Sequence, residues 1–349
     1  MKQVDYIIVG CGLAGVAFCE QLKQHNKNFV VFDDNSQKSS IVAAGLYNPV
    51  VLKRFTEVWK AKEQLDFALP FYKNLEQLLQ VTLDYKFPVY RCFASIEEQN
   101  EWFSASDKPY LEPFLSTNII KNENPSINAH LGFGMVLQTG KINTRLLLQH
   151  YKAKLNQEDR YFNETFDYEV LKIKDSSMEY REFSATHIIF AEGFGMAQNP
   201  FFKELPLNVA KGEIITIKAP NLKLDYVLKS SVFLIPEGND VYSVGATYNW
   251  NDKTHQITER AKEELVTKLK KLITCDFEII GQVAGIRPTV IDRRPLVGRH
   301  STFKNLAILN GLGTRGVMLA PYLARELFEH LENSKPLEKE IDIKRFERS

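Results

Sequence analysis

Val4-Asp5-Tyr6-Ile7-Ile8-Val9-Gly10-Cys11-Gly12-Leu13-Ala14-Gly15 decides the fold. An apolar run ends in a glycine turn. A helical stretch, Val16 to His25, follows, and then a second apolar run, Phe29-Val30-Val31-Phe32, that ends in Asp33. Strand, glycine turn, helix, strand and acid in this order form a dinucleotide-binding unit. Each glycine has a separate task. Gly10 lets the chain turn sharply out of the strand. Gly12 lets a pyrophosphate approach the backbone. Gly15 lets the helix pack close to the sheet. The helix then points free N–H groups and its positive dipole end at the phosphates. Asp33, eighteen residues after Gly15, can accept hydrogen bonds from ribose hydroxyls. FAD or NAD is therefore expected here. Lys2 before an apolar stretch imitates a secretory signal, but Asp5 interrupts it and no small-residue cleavage site stands out.

Bulk properties narrow the class. A chain of 349 residues suits two intertwined domains. Hydrophobic residues make up 44% and charged residues 25%, as in ordinary globular proteins. With 44 Lys plus Arg against 43 Asp plus Glu, the net charge is +1, so no broad basic footprint calls for nucleic acid or an acidic membrane. No apolar run is long enough to span a bilayer. Cys11, Cys19, Cys92 and Cys275 form no CxxC pair. They read as buried free thiols, which points to a reducing, cytoplasmic setting. The seven histidines are scattered and predict no metal site; His187 reads as structural.

Further along, Ile142 to Gln157 has helical spacing with Asn143 or Thr144 as a cap. Phe166 to Phe183 reads as a hairpin around Asp175-Ser176-Ser177. His187 to Ala191 is a buried-type strand that runs into Glu192-Gly193-Phe194-Gly195. Leu306 to Leu309 is another, followed by Gly311-Leu312-Gly313 and a helix from about Gly316 to His330. Both bring backbone or a helix N-terminus toward the ligand. Residues 46 to 139 predict aromatic-rich helices, with Pro70 interrupting Trp59 to Gln80. Strand-like runs at Gly212 to Lys218, Ser231 to Ile235 and Asp240 to Ala246, then a helix over Ile257 to Ile273, predict an antiparallel sheet. The expected fold is α/β plus α+β. A discontinuous Rossmann-like nucleotide domain takes 1–45, 140–204 and 285–349. A largely antiparallel-sheet substrate domain takes 46–139 and 205–284, and the reactive group lies between the two.

Two later segments, Gly285-Ile286-Arg287-Pro288 and Gly311-Leu312-Gly313-Thr314-Arg315-Gly316-Val317-Met318-Leu319-Ala320-Pro321, complete a resemblance. With the N-terminal turn, Asp33, Ala43-Ala44-Gly45, Gly140-Lys141-Ile142, Lys211-Gly212-Glu213 and Val244-Gly245-Ala246-Thr247, the chain resembles the FAD-dependent amine and amino-acid oxidases. That family includes D-amino-acid oxidase, glycine oxidase and sarcosine oxidase. The resemblance implies FAD as cofactor. It puts FAD against Gly10, Gly12, Leu13, Ala14, Gly15, Asp33, Asp34, Ala43, Ala44 and Gly45. Later contacts are expected at Val170, Ala191, Gly193, Gly311, Gly313, Thr314, Gly316 and Val317. It also implies a small amine or amino-acid substrate.

By the same resemblance Arg287 matches the arginine that clamps a substrate carboxylate, a task that suits its planar fork. The alternative is a structural arginine bonding backbone carbonyls. Arg315 lies where glycine oxidase has an arginine near the flavin, or else it anchors the last helix. Tyr248 matches a pocket-lining position, and Tyr226 is a weaker candidate better suited to core packing. No general base stands out: a neutral amine's lone pair can drive hydride loss from the α-carbon while the flavin supplies the chemistry. Gly45-Leu46-Tyr47-Asn48-Pro49-Val50-Val51-Leu52-Lys53-Arg54 departs from the well-studied oxidases. Its Lys53 and Arg54 meet flavin, an acidic substrate or only water. Two alternatives stand beside the oxidase. One is oxidative trimming of a carboxymethylaminomethyl group on tRNA wobble uridine, since the terminal glycine segment also resembles the oxidase half of that bifunctional enzyme. The other is a flavin-bearing electron-transfer subunit.

Overall fold

The computed structural model of the chain describes residues 1–174 and 177–347. The expected turn at Asp175-Ser176, and the last two residues of the charged tail, lie outside them. Two sheets face each other across a cleft.

The first sheet is built on the parallel strands Phe29–Phe32, Lys2–Val9, Phe183–Phe190 and Leu306–Asn310, in that spatial order. Their register aligns Phe32, Val9, Phe190 and Ile308 in one row. Every strand therefore ends at the same edge. Chain order reverses beside Lys2–Val9, which makes that edge a topological switch point, where open α/β sheets bind ligands. Phe29–Phe32 and Leu306–Asn310 are buried throughout, and Lys2–Val9 and Phe183–Phe190 are buried where they approach the shared edge, as a parallel sheet covered on both faces requires. Helices Leu13–Gln24 and Gly316–Asn333 pack together over one face, with Phe18, Leu22, Leu323 and Leu327 in the shared core.

The second sheet runs Glu278–Arg287, Ala210–Lys218, Val241–Gly245, Phe233–Gly238, Val227–Lys229, Val89–Cys92, Phe133–Val136, Leu115–Ile120. It is antiparallel except where Val227–Lys229 meets Val89–Cys92. Period-2 alternation divides its residues. Ile215, Ile217, Leu234 and Val244 pack with Leu265 and Leu269 of helix Glu259–Lys270. Gly212, Ile214, Phe233 and Gly245 face the cleft.

Several features depart from the sequence reading. Three strands of the second sheet come from 46–139, where the sequence reading singled out only helices. Their cross-strand partners lie far along the chain, and short runs such as Val89–Cys92 carry no local alternation to reveal them. Glu278–Arg287 runs straight through the expected boundary at 285, because Gly281 and Gly285 break its apolar pattern while ladder bonds to Ala210–Lys218 continue. Helix Ala61–Leu79 packs on Gly316–Asn333, so the core runs through both expected domains. Asn143, not Thr144, caps helix Thr144–Gln157 through a bond from the Leu146 N–H.

Candidate active site

Below the first sheet's edge, Gly10 adopts φ +97°, and a Cβ there would sit 2.5 Å from the Ala191 carbonyl oxygen. A Cβ on Gly15 would sit 2.1 Å from the Gly10 oxygen. Neither position admits another residue without moving backbone. Gly12 caps helix Leu13–Gln24 with no side-chain bond, and the first turn holds no acid. Ser40 Oγ takes the Leu13 N–H at 3.3 Å. The rest of that helix N-terminus opens to the cleft, a ready site for a phosphate anion. Asp33 lines the cleft one residue past its strand, held by Lys152 Nζ at 2.5 Å and the Tyr161 hydroxyl at 3.1 Å. Asp34 is partly desolvated, yet hydrogen bonds from Ser36 and Thr165 hold its carboxyl below the usual carboxylate value. Glu192 goes the other way. Burial raises it to about 7 although Asn199 and Tyr168 donate to it.

Toward the second sheet, Ala43, Ala44 and Gly45 line the cleft. Gly45 has φ +74°, and a Cβ there would fall 1.9 Å from the Ile142 oxygen. Gly193 has φ +57° with nothing within 4 Å of an added Cβ, so backbone is bare at this wall. Asn310 Nδ2 holds the Gly193 carbonyl at 2.9 Å. Helix Gly316–Asn333 has no side-chain cap, and Gly313, Thr314, Gly316 and Val317 line the cleft at its start. Here is a second open helix N-terminus.

Arg287 ends its strand over the second sheet's hollow. A Cβ on Gly212 would come 2.0 Å from the Arg287 guanidinium, so that glycine makes the room. Arg287 donates to the Thr247 carbonyl at 3.3 Å and lies 4.4 Å over the Tyr248 ring. Arg315 lines the same region. Burial pulls both guanidinium pKa values down, and Arg293 and Arg294 add like charge near Arg315. Both side chains stay cationic. Among the described residues neither forms an ion pair with an acid. Tyr248, 58% exposed, stands at the mouth beside Trp250, with ring centroids 6.3 Å apart.

Three expected cofactor contacts lie off the lining. Gly15 and Gly311 sit beneath it; a Cβ on Gly311 would press 2.6 Å from Val290. Val170 closes the short Tyr168–Val170 turn, 43% exposed, and Thr165, Phe166 and Tyr168 take the wall there. Tyr226 stacks on Tyr90 at 4.3 Å, away from the cleft. Lys53 reaches the lining but is exposed, and Arg54 is exposed outside it. Sequence reasoning missed Lys152, Ser40 and Glu192. Lys152 falls on a predicted helix, but nothing local says that its face meets Asp33. Burial lifts the Cys11 thiol to about 12, and all four cysteines are free. Among the described residues no cluster of His, Cys, Asp or Glu could hold a metal, and no helix is long and apolar enough to cross a membrane.

The cleft has a volume of about 860 Å³, within the span of roughly 300–1,000 Å³ usual for ligand sites. Glycine cradles at Gly10 and Gly12, the carboxylate of Asp33 and two open helix N-termini fit an adenine dinucleotide. Fold and site together define a two-domain flavoprotein oxidoreductase. The family model described as FAD dependent oxidoreductase matches residues 5–330, and the chain belongs to that family; its cofactor is FAD. Among curated relatives, glycine oxidase of Bacillus subtilis is 23% identical, over 92% of this chain and 90% of its own. The tRNA 5-methylaminomethyl-2-thiouridine biosynthesis bifunctional protein MnmC of Pseudoalteromonas atlantica is 26% identical, over 45% of this chain and 27% of its own length. The crystal structure of glycine oxidase from Geobacillus kaustophilus superposes with a TM-score of 0.78 at 18% identity. It covers 97% of this chain and 96% of that one.

Proposed function

We propose that this enzyme oxidises the C–N bond of a small amine or amino acid that carries a carboxylate. One observation carries the reading: Arg287 and Arg315 bring two desolvated cations to the cleft with no acidic partner among the described residues. A buried charge without a counter-ion is costly, and a carboxylate ligand supplies one. Arg287, seated over Gly212, holds that carboxylate with its fork. Tyr248 covers one face of the guanidinium, and the fixed carboxylate orients the α-carbon. When bound, FAD supplies the acceptor for the hydride that leaves this carbon, and the imine product hydrolyses in water. The open N–H groups at Gly316 and Val317 stabilise negative charge that faces them. Residues expected from the sequence to touch FAD, including Gly10, Gly12, Asp33, Ala44 and Gly313, are assigned that role on their position around the cleft.

The test is the visible spectrum of the purified protein under anaerobic conditions, with glycine, sarcosine and D-amino acids added. Bleaching of the flavin band supports the reading; a band that neither these nor N-substituted glycines ending in a carboxylate bleach removes it. The MnmC relatives and the exposed Tyr248–Trp250 pair support a second reading, in which the amine is part of a modified tRNA base and the rings stack on a neighbouring base. It expects tRNA binding that weakens steeply with salt, against a chain whose net charge is only +1.

A further inference from the structure

The second sheet carries another cation into the cleft. Ile214, Gly245, Phe233 and Lys229 stand in one cross-strand row. Partners in register share a face, and all four line the cleft. Lys229 therefore sits on the same wall as Gly212 and the Arg287 guanidinium above it. It lies three strand spacings from the Gly212 strand, about 14 Å across the sheet. Its Nζ rests 4.5 Å over the Phe233 ring.

The charges around Lys229 are already matched. Arg91, its register partner, pairs with Glu98 at 2.5 Å. Lys268 pairs with Glu264 at 2.5 Å. Lys229 is half-buried and has no hydrogen bond or acidic partner among the described residues. Burial, with Arg91 and Lys268 nearby, lowers its pKa to about 8. It remains mostly charged at neutral pH. The phosphate-binding features of the cleft, Gly10, Gly12 and the first helix N-terminus, belong to the other sheet. The pyrophosphate therefore does not account for Lys229. Ile214, Gly245 and Phe233, all on the cleft wall, lie across the sheet between the two cations.

We propose that Lys229 is a second anion anchor, and that the substrate carries a distal carboxylate or phosphate besides the carboxylate held by Arg287. This rests on the amine-oxidase reading above and narrows its substrate class to doubly anionic amines. The two cations would bind the ends of one extended molecule, with its reactive C–N bond near the Arg287 end. A single-carboxylate amine would leave Lys229 without a counter-ion.

Two measurements on the FAD-loaded enzyme test this separately. The first titrates aliphatic dicarboxylates of increasing length and length-matched monocarboxylates, and follows the flavin spectrum. One dicarboxylate length should bind at least tenfold tighter than its monocarboxylate. Lys229→Met should erase that preference, and Lys229→Arg should keep it. ω-Phosphonocarboxylates of the same lengths show which anion is preferred. The second compares kcat/KM for N-substituted glycines ending in a carboxylate or in the neutral carboxamide. Lys229→Met should lower the former at least tenfold and leave the latter within twofold. Unchanged FAD content and circular dichroism confirm that the variant folds. Equal binding of mono- and dicarboxylates at every length, or an equal loss on both amines, overturns the anchor. If carboxamide amines reduce the flavin without preference, only this inference fails. If dicarboxylates are preferred through Lys229 but no amine reduces the flavin, the amine-oxidase reading fails and the anchor stands.

Discussion

Arg287 and Gly212 form one packing unit, because a guanidinium can occupy the second sheet's hollow only above a residue without a side chain. The expected result for Arg287→Ala is full FAD content with reduction by carboxylated amines slowed roughly 100-fold, about 3 kcal/mol of lost charge-assisted hydrogen bonding. Arg287→Lys should recover little of it, since an ammonium cannot reproduce the fork. Stopped-flow reduction with the true substrate checks both; unchanged rates would take Arg287 out of the site. Gly212→Ala is the companion variant. Its Cβ would meet the guanidinium 2.0 Å away and push it aside. Substrate KM should rise with the flavin spectrum intact, and an unaltered KM would show that the arginine does not need this hollow.

Among the elements, helix Gly316–Asn333 decides where the C-terminal glycine segment meets the cleft. It carries Pro321 in its interior, where the missing N–H leaves the Val317 carbonyl without its helical donor. The Tyr72 hydroxyl, from helix Ala61–Leu79, donates to that carbonyl at 2.9 Å. The site is buried, so the bond cannot be replaced by water. Tyr72→Phe should cost about 1–3 kcal/mol of stability. In a Pro321→Ala background the restored N–H serves the carbonyl, and the same change should cost clearly less. A thermal-melt double-mutant cycle measures the difference. Additive losses would mean that the hydroxyl is not replacing the proline's donor. Through this contact a helix of the expected substrate domain holds the helix whose N-terminus opens to the cleft.

For the whole molecule, buried Glu192 and half-buried His187 tilt stability with pH in opposite directions. Burial holds Glu192 at about 7 instead of 4.5. Between those values the folded chain keeps a proton that the unfolded chain releases, so this contribution is complete below pH 4.5 and is lost as pH rises through 7. Burial, with the nearby Arg299 charge, depresses His187 to about 4 from 6.5. The unfolded chain binds that proton first, so this contribution is complete above pH 6.5 and is lost as pH falls toward 4. Each shift is worth roughly 3 kcal/mol, and over the shared window they offset. Glu192→Gln should therefore make the protein lose stability more steeply on acidification through that window. His187→Gln should make it lose stability on raising the pH. Parallel melting profiles for wild type and both variants would show that neither group titrates with folding.

Much of the nucleotide half was legible because its signals are local. Gly10, Gly12, Gly15 and Asp33 declare a turn, a helix start and a strand end by spacing alone. The Gly311 to Gly316 segment declares another helix start in the same way. Arg287 stood out through the motif around it, but its hollow did not, since Gly212 lies far away in sequence and meets it only through the ladder. Lys152 on Asp33, Tyr72 under Pro321 and Lys229 on the cleft wall have no local signature. What the sequence by itself determined is the dinucleotide unit and the open helix ends, because glycine conformation and helix polarity are properties of neighbouring residues. Only the tertiary structure decided which distant side chains share the cleft and which of their charges go unmatched, because strand register and burial are set by partners that the chain meets after folding.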